Sequence, residues 1–94
     1  MTITKEQAIE KVTTKGYATR IYSGCKDGCR CGCLGKYYEK DDKSFNRMLK
    51  TVVKEIPNAT KDITHDFGTY DNMSWVDFTI SSGRVYTVYN KEVN

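Results

Sequence analysis

Ninety-four residues are expected to make one α+β domain, residues 1–94, near the lower end of what buries a self-sufficient core. A net charge of +3 with 38% apolar and 12% aromatic residues, mostly seven tyrosines, describes a chain that can fold on aromatic burial but lacks the dense basic patch of a dedicated duplex-DNA binder. No run is long and apolar enough to span a membrane, and Glu6 and Glu10 interrupt what would have to be the core of a signal peptide, so a cytoplasmic chain without membrane contact is expected.

The first predicted element is a short helix. Thr4 caps it, Gln7 supplies the return half of a capping box, and Ile3 is placed to staple against Ala8. Ile9 and Val12 continue a narrow apolar face, and Gly16 ends the element. "YATRIYSG" alternates as a strand with Ile21 facing away from Arg20 and Tyr22. It runs into "GCKDGCRCGCLGK", residues 24–36, which holds every cysteine of the chain and is read as a loop leading from strand to helix.

The clearest element follows. In "DDKSFNRMLKTVVKEIP" the residues Phe45, Met48, Leu49, Val52, Val53 and Ile56 recur at helical spacing, with Asp41 and Asp42 at the start and Pro57 as the stop. The spacing predicts a helix over about 44–56 whose apolar face packs on a sheet. "WVDFTI" and "VYTVY", joined by Ser81 to Arg84, read as a hairpin, and a further short strand is expected within "DITHDFGTY". The fold class is therefore α+β: a small antiparallel sheet packed by one main amphipathic helix and a short N-terminal helix, with a Cys/Gly-rich loop.

Four cysteines, Cys25, Cys29, Cys31 and Cys33, form the candidate metal set. In extended backbone Cys29, Cys31 and Cys33 point the same way, and Gly28 and Gly32 let the chain curl so that sulfurs converge. Such thiolates suit Zn²⁺ or Cu(I), yet the spacing departs from the two separated pairs of a zinc ribbon. Free packed thiols, a metal site with zinc as the candidate ion, and disulfides all stay open. His65 could replace one cysteine as a ligand, but an unpaired histidine is more often a surface or hydrogen-bonded residue.

The loop has a second property. Glycines 24, 28, 32 and 35 among Lys26, Arg30 and Lys36 supply backbone N–H groups and positive charge, the general recipe for an anion nest, although a crowded turn needs the same glycines. Tyr37 and Tyr38 follow directly, and Tyr22 precedes the loop, so these rings could stack on a base; equally, one of Tyr37 and Tyr38 covers the core while the other lies on the surface. The candidate ligand-binding residues are Gly28, Arg30, Gly32, Gly35, Lys36, Tyr37 and Tyr38. No nucleophile or acid/base constellation is defined by spacing, so no catalytic residue is assigned and a non-enzymatic protein is expected.

The run "IYSGCKDGCRCGCLGKYYE" resembles a group of small, mostly uncharacterised tailed-bacteriophage proteins that carry Ser-Gly, then Cys-x-Cys-Gly-Cys-x-Gly, then an aromatic residue. The residues of the match are Ser23, Gly24, Gly28, Cys29, Cys31, Gly32, Cys33, Gly35 and Tyr37. Cys25 falls outside the three-cysteine pattern. The resemblance implies a phage origin and carries no established activity. Small non-enzymatic phage proteins often occupy a host factor or capture a small molecule, so the expectation is a binding role in the host cytoplasm: a counter-defence inhibitor that occupies a host immune protein or sequesters an anionic nucleotide ligand. The alternatives are a metal-stapled nucleic-acid-binding accessory module and a thiol redox or metal-handling protein. A homo-oligomer is also open, because a small core gains from a partner.

Overall fold

The computed structural model describes residues 1–24, 35–68 and 73–91. Its elements run in the order β1 (Thr2–Ile3), α1 (Lys5–Thr13), β2 (Arg20–Ser23), β3 (Lys36–Glu39), α2 (Phe45–Glu55) with a 3-10 turn over Ile56–Asn58, β4 (Ile63–Phe67), β5 (Met73–Thr79) and β6 (Val85–Lys91). The strands form one six-stranded sheet in the order β1-β4-β5-β6-β2-β3, with every pairing antiparallel. The α+β class expected from the sequence is the fold observed. Among the described residues, no helix is long and apolar enough to cross a membrane.

Helix α1 starts as its sequence predicts. Thr4 Oγ1 accepts from Gln7 N–H at 3.0 Å while Gln7 Oε1 accepts from Thr4 N–H at 2.9 Å, so two otherwise orphaned donors are satisfied reciprocally. Ala8 and Val12 are its buried residues. Gly16 lies past the helix end at φ +83°, a conformation an L side chain rarely adopts.

The starting turn of α2 differs from expectation. Asp41 and Asp42 precede the helix instead of entering its first turn. Asp42 accepts from Glu39 N–H at 2.8 Å, pinning the turn that carries the chain from β3 into the helix.

Sheet residues alternate between two faces. Both helices cover one face: Ile63, Val76, Phe78, Tyr86, Val88 and Ile21 from the strands form one core with Ala8, Val12, Phe45, Val52 and Ile56. Val76 pairs with Val88, and Val88 with Ile21, so this apolar row crosses three adjacent strands beneath the helices. Residues of opposite parity, among them Trp75, Tyr89, Arg20, Tyr22 and Tyr37, stand on the face that carries neither helix.

Within the predicted α2 face, Phe45, Val52 and Ile56 are buried, whereas Met48, Leu49 and Val53 are half-buried against the core. Ile56 is 0% exposed, so Ile56→Ala is expected to cost about 2–5 kcal/mol in urea unfolding. Leu49→Ala should cost less, and a reversed order would remove Ile56 from the centre of the core.

Candidate functional site

The sequence places Lys36, Tyr37 and Tyr38 together, but they belong to a strand the sequence reading did not anticipate. β3 pairs with β2 through Tyr22↔Tyr37 and Ser23↔Lys36, so the Cys/Gly-rich segment joins two antiparallel strands and does not lead into a helix. Alternation along β3 then divides the three residues. Lys36 and Tyr38 lie on the helix side, and Tyr37 on the open side.

On the helix side, Lys36, Tyr38, Ser44, Arg47, Met48 and Thr51 line a shallow cleft of about 150 Å³. Lys36 Nζ stands 5.1 Å from the Tyr38 ring centroid, an attraction that holds the cation at the strand end. Arg47 comes from the first turn of α2, and the Ser44 side chain makes no capping hydrogen bond, leaving its hydroxyl for another acceptor. The described lining thus has two cations, three hydroxyls and no carboxylate, and it lies beside the positive end of the α2 dipole. Arg47, Ser44 and Thr51 were missed from sequence because only the pairing of β3 with β2 brings Lys36 beside α2.

On the open side, the Tyr22 and Tyr37 rings lie 4.8 Å apart at 49°. The Arg20 guanidinium stands 5.7 Å from the Tyr37 centroid and pairs with Glu39 at 2.7 Å. Further across the sheet, Trp75 and Tyr89 lie 6.2 Å apart. Burial, then the nearby Tyr37 hydroxyl, pushes the Tyr89 hydroxyl pKa up against the opposing pull of Arg20, so Tyr89 stays neutral. Tyr22 and Tyr37 form the stacking pair, and Tyr38 is separated from them by the sheet.

Gly35 shows why a glycine is required at one end of the loop. A Cβ added there would lie 2.5 Å from the Ser23 carbonyl oxygen and 2.5 Å from the Tyr22 ring, so crowding between β2 and β3 accounts for this glycine. Cys25, Cys29, Cys31, Cys33, Gly28, Arg30 and Gly32 lie outside the described residues. Among the described residues, no three His, Cys, Asp or Glu side chains group as a metal would require. His65 stands on β4, three strands from β2 in the sheet order. It is buried on the helix side, with its ring 4.6 Å from Phe67.

No family model matches the chain, and neither a curated protein nor a solved structure matches it.

Two outcomes follow from this geometry. Gly35→Ala forces the added methyl into a backbone carbonyl and should lower stability by about 1–3 kcal/mol, read by chemical denaturation; an unchanged midpoint would show that β2 and β3 separate without cost. Burial, and secondarily Lys11, lowers the His65 pKa from its ordinary 6.5. Below that value the unfolded chain takes up a proton that the folded chain resists, so stability is full above pH 6.5 and declines as pH falls toward the lowered folded value. Melting temperature should fall over that window, and His65→Phe should flatten the dependence.

Proposed function

We propose that the chain is a non-enzymatic binding protein that sequesters an anionic, nucleotide-type ligand, with a phosphate in the cleft between β3 and α2. The observation that carries this reading is the convergence of Lys36 and Arg47 on a cleft whose described lining has no carboxylate. Arg offers a planar fork for phosphate oxygens, Lys a point charge, and Ser44 a hydroxyl donor. Tyr38 supplies a wall on which a base can lie. The volume of about 150 Å³ suits one phosphate group better than a large protein epitope. The phage resemblance of the adjoining loop attaches this capture to counter-defence in the host cytoplasm.

One observation favours a second reading, a nucleic-acid-binding accessory module. Tyr22, Tyr37, Trp75 and Tyr89 share the open face of the sheet, and aromatic sheet faces stack single-stranded bases. That face also carries Asp77, Asp66 and Glu39, with Asp77 accepting from the Thr64 hydroxyl and Glu39 already paired to Arg20. A phosphate backbone would meet more acid than free base there, which places this reading second.

Calorimetric titration of the purified chain with inorganic phosphate, pyrophosphate, AMP and ATP tests the first reading. Binding should be lost in the K36E/R47E double variant, whose changes lie on exposed residues and leave the melting temperature unaltered. Affinity should also fall with added salt. Binding unaffected by the double variant, or no binding to any phosphate compound, would overturn the cleft. Trp75 is the single tryptophan and reports on the open face: quenching of its fluorescence by a short single-stranded oligonucleotide would establish the second reading instead.

A further inference from the structure

A larger cleft lies on the same face of the sheet as the helices but at the opposite end, between α1 and β4. Its volume is about 470 Å³, and Ile3, Gln7, Glu10, Lys11, Tyr17 and His65 line it. Gln7 and Lys11 stand one turn apart on α1, with Glu10 between them, so a polar stripe of the helix faces the sheet edge beside the apolar stripe of Ala8 and Val12.

His65 is the decisive residue. It is 7% exposed, and its Nε2 is buried without a hydrogen-bond partner among the described residues. A buried orphan of this kind destabilises the fold unless a ligand or water satisfies it. The imidazole lines the cleft, and the groups acting on its charge come from three directions: Lys11 on α1, Asp66 on β4 itself, and the N-terminal ammonium of Met1 just ahead of β1.

The remaining groups are held in place, some of them with capacity to spare. Gln7 spends its carbonyl oxygen on the Thr4 cap, leaving its amide hydrogens as donors. Tyr17 is fixed by a 3.2 Å hydrogen bond between its hydroxyl and Ser74 Oγ, and Lys11 Nζ stands 5.7 Å from its ring centroid. Neither Lys11 nor Glu10 forms an ion pair among the described residues. One free cation, one free anion and a neutral imidazole therefore line one cleft. A phosphate would be repelled by Glu10 and a simple amine by Lys11, whereas a molecule carrying both charges satisfies both.

We propose that this cleft binds a small zwitterion of the α-amino-acid type, its carboxylate received by His65 Nε2 and Lys11, its ammonium by Glu10, and its side chain by Ile3 and the Tyr17 ring. This site is separate from the phosphate cleft of Lys36 and Arg47, and neither depends on the other.

The chain has a single histidine, so the imidazole signals in a ¹H–¹⁵N NMR spectrum belong to His65 alone. The full chain is titrated separately with leucine, phenylalanine, acetate and butylamine. Leucine or phenylalanine should shift the imidazole signals saturably, and acetate and butylamine should not do so at the same concentration. E10Q and K11M should each weaken the amino-acid titration about tenfold or more, the effect of losing one charged hydrogen bond, with melting temperatures unchanged. K36E/R47E should leave the titration intact, which separates this site from the phosphate cleft. An imidazole unmoved by either amino acid, an equal response to acetate, or full binding in both E10Q and K11M would each overturn the proposal.

Discussion

Helices cover one face of the sheet only, and the rest of the structure depends on that constraint. The row Ile21, Val88 and Val76 is 0% exposed and crosses the sheet where two helices press on it. Because side chains alternate strictly along a strand, fixing this row beneath the helices fixes the side of every other strand residue. A one-residue slip of β6 against β5 would place Thr87 and Tyr89 under the helices and Tyr86 and Val88 in solvent. Register and burial thus enforce each other, and burial of the row supplies the driving force.

The same constraint distributes chemistry. Along β3, four residues place Lys36 and Tyr38 beside α2 and Tyr37 beside Tyr22, so neighbours in sequence serve different surfaces. The helix side collects ionic groups where helix and sheet part company: Lys36 with Arg47 at one end, Lys11 and Glu10 with His65 at the other. The open side collects aromatic rings, whose quadrupoles tolerate both water and cations. Charge at the cleft margins and aromatic area on the uncovered face both follow from a sheet with helices on one side.

Much of this was legible in the sequence where the signal is local. The capping box of Thr4 and Gln7, the 3.6-residue spacing from Phe45 to Ile56, and the alternation of Val76 and Phe78 each need only a few neighbours to be recognised. β3 was not legible, because "KYYE" is four residues with charged ends and becomes a strand only by pairing with β2. β1, two residues long, exists by pairing with β4 across fifty-nine intervening residues. The site inherited that limit. Lys36 and Tyr38 could be named from the loop, but Arg47 beside them is a consequence of tertiary pairing. His65 carried a readable signal, since it shares parity with the apolar Ile63 on a short strand, yet its unpaired nitrogen is visible only in three dimensions.

That nitrogen also bears on what the fold itself requires. His65 sits between Phe67 on its own strand and Val76 on the next, surroundings in which an apolar ring of similar size would pack without an orphaned polar atom. Domains of this size retain about 5–15 kcal/mol of net stability, so an unsatisfied buried group at about 1–3 kcal/mol is a substantial fraction of the whole. Packing alone therefore gives no reason for an imidazole at this position. Lys11 deepens the conflict, because it disfavours the imidazolium that would hydrogen-bond most strongly. An incoming carboxylate would reverse both terms: it offers Nε2 an acceptor and screens Lys11 from the ring. The polar groups that weaken the cleft are those a zwitterion would satisfy, which connects the energetic cost of the site to its chemistry.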